Sequence, residues 1–135
     1  MRPQRFADYF VDLAKNTPGV TRVQTLAEVG DTKRPFGLAI TTAFGETRWQ
    51  FTGQLPEGAK HDGFADEPVT GAPVAVGEDP AAVTEPEAWF AAVLARGESP
   101  EIASIERWST RPEPGAQKGV TATFHNGARI FVRQI

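Results

Sequence analysis

No cysteine occurs among the 135 residues. That excludes a disulfide framework, a cysteine-ligated zinc or iron–sulfur site and a thiol nucleophile. Histidine is nearly as scarce, with only His61 and His125, and serine is confined to Ser99, Ser104 and Ser109. None of these serines stands in a strand-to-helix nucleophile elbow, and no Ser–His–Asp grouping appears at local spacing. There is no phosphate-cradling glycine loop, no nucleotide fingerprint and no metalloprotease or kinase signature. No apolar run approaches the roughly 18 residues of a membrane span. The opening MRPQRFADYFVDLAKN has no apolar core followed by a small-residue cleavage site, so the expectation is a cytoplasmic protein with no membrane partner. These absences leave a reading with no catalytic residue and no cofactor.

What is present is ordinary globular composition, 40% hydrophobic and 23% charged, in a chain of single-domain length. Such a chain buries roughly two-thirds of its unfolded surface. Charge is unevenly spread. Residues 1–53 hold seven Lys/Arg against five Asp/Glu, and residues 88–135 hold six against four, so each flank carries +2. Between them, residues 54–87 hold eight acidic groups and Lys60, a balance of −7, together with five of the eleven prolines. The acidic stretch over 54–84 therefore reads as a Pro/Gly-rich connector with little regular structure. Phe64, Val69, Val74 and Val76 are its anchors, and attraction to the basic flanks is expected to dock it weakly over Arg48 or Arg129.

Periodicity organises the flanks. Phe6, Tyr9, Phe10, Leu13 and Ala14 share one helical face over residues 3–16, with Pro3 in the first turn and Pro18-Gly19 as the stop. Strands are expected over 20–29, 36–44 and 47–51, with Phe36, Leu38, Ile40 and Phe44 on one face and a turn at Gly45-Glu46. Beyond the connector, Thr84 and Glu87 have capping-box spacing ahead of a helix over 85–96 that Gly97 ends. Strands follow over 102–108, 119–125 and 128–135, the last two joined at Asn126-Gly127. Trp49 and Trp89 read as core anchors.

Both flanks thus run helix, strand, strand, strand, and they can be laid on one another. Tyr9-Phe10 falls on Trp89-Phe90. TPGVTRVQTL from Thr17 falls on SPEIASIERW from Ser99, and ITTAFGETRWQF from Ile40 falls on VTATFHNGARIFV from Val120. The expected architecture is α+β: tandem αβββ halves, 1–53 and 85–135, forming antiparallel sheet with both helices on one face. At roughly 50 residues neither half has enough core to stand alone. The halves would combine as one continuous sheet or two packed sheets, leaving a face open to solvent or a partner.

That open face is where function is expected. Arg48, Gln50, Arg129, Phe131 and Arg133 alternate on the terminal strands of the halves, with His125 beside the last hairpin. The primary expectation is a non-enzymatic binding or regulatory module recognising a protein partner. Arginines beside an aromatic on a sheet also suit phosphates and stacked bases, although an acidic chain of pI about 5.4 with no basic run argues against nucleic acid. A third reading is a small-molecule enzyme with a pocket between the halves and His125 as general base. His61 and Asp62 with Asp66 and Glu67 form the only local cluster of metal-ligand types. They sit in a loop that offers no fixed geometry, so no metal is expected.

Overall fold

The computed structural model describes residues 1–56, 58 and 68–135. Helix α1 spans Pro3–Lys15 and is followed by strands β1 (Val20–Thr25), β2 (Gly37–Thr42) and β3 (Gly45–Gln54). Helix α2 spans Pro86–Arg96 and is followed by β4 (Ile102–Arg107), β5 (Gly119–Phe124) and β6 (Arg129–Gln134). All six strands form one antiparallel sheet in the order β1-β2-β3-β6-β5-β4. The continuous-sheet alternative is therefore the one adopted, in an α+β fold. Each half contributes a three-stranded meander, and β3 meets β6 at the centre.

Alternation along the strands explains the layering. Leu38 and Ile40, Trp49 and Phe51, Val120 and Ala122, and Ile130 and Val132 all turn to the helix side, where they are buried in one core cluster. Phe10 of α1 and Phe90 of α2 stack over the middle of the sheet, with ring centroids 3.9 Å apart and planes 1° from parallel. Trp49 lies 4.7 Å from Phe90, and Phe6 sets its edge against Phe51 at 5.1 Å. Trp49 and Trp89 are buried as their sequence context implied.

The halves match beyond their element order. A bulge interrupts the first strand of each, between Val20 and Arg22 and between Ile102 and Ser104. A 3-10 turn follows each first strand, at Ala27–Val29 and at Trp108–Thr110. Strands expected to run on to 29 and 108 therefore stop at Thr25 and Arg107.

Three local expectations are corrected. The β2–β3 turn is Ala43-Phe44, since Thr42 pairs with Gly45. Phe44 consequently stands at the hairpin tip, 75% exposed, and not in the core. The Thr84–Glu87 box does not form. Glu85 is the N-cap of α2, its carboxylate accepting from the Glu87 and Ala88 amides at 3.2 and 2.8 Å, with Pro86 at the first helical position. Gly97 follows α2 in right-handed conformation, and the positive φ (47°) falls on Glu98. What Gly97 provides is close helix approach, because a Cβ there would lie 2.5 Å from the Tyr9 hydroxyl oxygen.

Candidate functional site

The face opposite the helices carries the alternate residues of each strand. Gln50, Thr52 and Gln54 form a lane along β3, and Arg129, Phe131 and Arg133 form the adjacent lane along β6. Their register places Gln50 beside Arg133, Thr52 beside Phe131 and Gln54 beside Arg129. Arg48 is on the same face opposite Ala39. Five of the six sequence-selected residues thus share one surface at the centre of the sheet. Phe131 is half-buried, while Arg129 and Arg133 are exposed. Neither arginine has an ion-pair or hydrogen-bond partner among the described residues. Among the described residues, the strand carboxylates of this face are engaged by other cations: Glu46 binds Arg48 at 2.9 Å, and Glu106 binds Arg111 at 2.7 Å. They form no carboxylate pair with one another.

Two apolar side chains wall this surface. On β2 and β5 the residues of the open face include Gly37 and Gly119, and the absent side chains leave room for lids. Leu26 folds back over Gly37, and Trp108 folds back over Gly119, where a Cβ would sit 2.7 Å from the indole ring. Leu26 is 1% exposed although it lies on the side away from the helices. Trp108 Nε1 donates to Thr121 Oγ1 at 2.8 Å, and the Arg111 guanidinium lies 5.4 Å from the indole centroid. The result is a shallow trough along β3 and β6 with a lid on either flank.

The Trp108 lid is tied to the helix layer by Glu87, a charged side chain with no solvent exposure. Its carboxylate accepts from the Ser109 hydroxyl, from the Ser109 amide at 3.3 Å, from the Gly119 amide at 3.0 Å and from Arg107 Nε at 3.2 Å. Burial alone pushes this carboxyl upward. The Ser109 hydroxyl, the Gly119 and Ser109 amides and Arg107 outweigh it and hold the group below the usual glutamate range. Glu87 therefore stays ionised and acts as a clamp, not as a proton donor near neutral pH.

His125 is placed differently from the other selected residues. It stands at the β5–β6 hairpin, where its Nε2 donates to the Ala72 carbonyl at 3.0 Å and its ring packs on Gly71. The Gly71 amide donates to the Pro100 carbonyl at 2.7 Å. His125 thus holds the connector's main chain, and among the described residues its ring bonds no carboxylate and no group of three His, Asp or Glu suited to a metal occurs. Lys60, His61, Asp62, Phe64, Asp66 and Glu67 lie outside the described residues. The rest of the connector follows α2, with Val74 packed against the core cluster and Pro80 and Val83 buried. Val69 and Val76, expected anchors, are exposed instead. Among the described residues, no hydrogen bond or ion pair joins 68–84 to Arg48 or Arg129, and the acidic Glu57, Asp62, Asp66 and Glu67, to which the docking expectation also applies, lie outside the described residues.

A cleft of about 270 Å³ opens between the β2–β3 hairpin and the start of α2. Phe44, Pro80, Val83, Pro86 and Trp89 line it, and it contains no titratable side chain. It offers no acid or base, and His125 is not part of it. No described helix is long and apolar enough to cross a membrane.

Sequence reasoning missed the two lids and the clamp. A signal for the lids existed: Leu26 precedes Gly37 by the same interval as Trp108 precedes Gly119. For Glu87 no signal existed, because its donors come from Arg107, Ser109 and Gly119, far along the chain. Comparison of the chain with family models, curated proteins and solved structures finds no match.

Proposed function

We propose that the protein is a non-enzymatic binding module that recognises a protein partner through the trough on the open face of its sheet. The observation that carries the reading is the central lane of β6, where half-buried Phe131 stands between two exposed arginines that have no partner among the described residues. A partly exposed apolar group at the middle of a sheet surface, with charge at its margins, is the composition of a recognition patch. We also infer that the halves arose by duplication. The paired bulges, the paired lids over glycines and the stack of Phe10 on Phe90 support that reading, and it would put the trough on the approximate symmetry axis.

The test is position-dependent photo-crosslinking in the native host. A crosslinking amino acid at Thr52, exposed on the open face, should trap one discrete protein. The same group at Asp12, exposed on the outer side of α1, should not. Equal trapping from both positions, or trapping from Asp12 alone, would overturn the assignment.

A further inference from the structure

The spacing and chemistry of the trough narrow the partner to a class. Resting on the reading above, we propose that the trough binds an extended acidic peptide segment of pattern acidic–x–apolar–x–acidic, laid along β6. Residues two apart on a strand project from one face about 6.7 Å apart, and an extended peptide has the same repeat. A segment lying over β6 therefore presents its first, third and fifth side chains to Arg129, Phe131 and Arg133 in step. The outer two carboxylates meet guanidinium groups that the described residues leave unpaired, and the middle apolar side chain covers Phe131. Guanidinium forks take carboxylates through two parallel hydrogen bonds, which adds geometric selectivity to the charge.

The neighbouring lanes fit the same occupant. Gln50, Thr52 and Gln54 on β3 are neutral donors and acceptors beside the arginine lane, suited to main-chain amides. Gly37, Ala39, Gly119 and Thr121 on β2 and β5 are buried, and Leu26 and Trp108 bound the trough there. Among the described residues, the strand carboxylates of this face, Glu46 and Glu106, are already neutralised by Arg48 and Arg111, so these residues make the trough locally cationic within a chain of net charge −3. That contrast favours a short acidic segment over a long polyanion, which would also meet the acidic residues elsewhere on the chain.

Binding of a labelled Glu-Thr-Leu-Thr-Glu peptide to the full chain, followed by fluorescence anisotropy, tests the spacing against an isomer of the same composition, Glu-Glu-Leu-Thr-Thr. The spaced peptide should bind roughly tenfold tighter or more, and its binding should weaken as salt passes physiological strength. The double variant Arg129→Glu/Arg133→Glu should lose that peptide and gain Lys-Thr-Leu-Thr-Lys, with an unchanged urea midpoint because both side chains are exposed. Equal binding of the two isomers, or failure of the charge reversal to exchange the preferred peptide, overturns the proposal. Arginine-dependent binding of an oligothymidylate without peptide binding overturns it in favour of a nucleic acid on the same face. Peptide failure with discrete crosslinking retained at Thr52 overturns the acidic class alone, whereas loss of both overturns the binding face itself.

Discussion

Helices α1 and α2 lie over corresponding halves of one sheet, yet they meet water differently. Gln4, Asp8, Asp12 and Lys15 are exposed on α1, while Arg96 is the one exposed residue of α2. When Phe10 is set on Phe90, Asp8, Asp12 and Lys15 fall on Ala88, Ala92 and Ala95. The difference follows from what covers each helix: α2 packs beneath Val74 and its neighbours in the connector, so its outer side is alanine. A helix apolar all round must be buried on all sides. The acidic, proline-rich connector is therefore a covering layer for the second half. The lids differ in the same sense. Leu26 is held by packing and by the reciprocal Thr25–Glu28 hydrogen bonds next to it, whereas Trp108 adjoins Ser109 on the buried Glu87 carboxylate.

The largest effect should come from removing the clamp that only the second half has. Glu87→Ala leaves the Ser109 and Gly119 donors without their acceptor and Arg107 with its Glu85 contact alone among carboxylates, and urea unfolding should show a loss of about 3–5 kcal/mol. Glu87→Gln retains the shape and should lose less. Acidification should deliver part of the same loss. The Glu87 carboxyl is depressed in the folded state, so its contribution is complete above the unfolded glutamate value of about 4.3 and disappears as pH falls through the folded value. Wild type should therefore lose stability below about pH 4.3 more steeply than Glu87→Gln; parallel pH profiles would refute this.

Exchanging the helix surfaces sharpens the comparison at the next level. Ala92→Asp buries a carboxylate beneath the connector and should cost about 2–3 kcal/mol, while Asp12→Ala on α1 should stay within about 0.5 kcal/mol. Val74→Ala should cost about 1 kcal/mol if Val74 covers α2, and nothing measurable if the connector is merely solvated. The smallest effect belongs to the first half's own carboxylate: Glu28→Gln should leave the urea midpoint unchanged, because that group is at the surface and its hydrogen bonds are local.

Much of this was legible because it is local. The helical spacing of Phe6, Phe10 and Ala14, the turn chemistry of Asn126-Gly127 and the alternation of β6 each depend on neighbours within a few residues. Gly127 takes the positive φ of 87° that the hairpin requires, and Arg129, Phe131 and Arg133 share a face because strand side chains alternate. Phe44 was misread for the opposite reason. A shift in the position of the β2–β3 turn moves it from strand to hairpin tip, and alternation alone does not fix where a turn falls.

Legible in the chain alone were the α+β class, the order of elements in each half, and the sharing of a face by Arg48 and Gln50 within one strand and by Arg129, Phe131 and Arg133 within another. Periodicity of 3.6 or 2 residues encodes which side chains point together, and no long-range information is needed for that. Only the tertiary structure decided that one sheet forms, that Leu26 and Trp108 fold over glycines, that His125 holds the connector, and that Glu87 is a buried clamp. Each of these joins residues far apart in the chain, where the partner is selected by close packing and by the requirement that buried polar groups be paired.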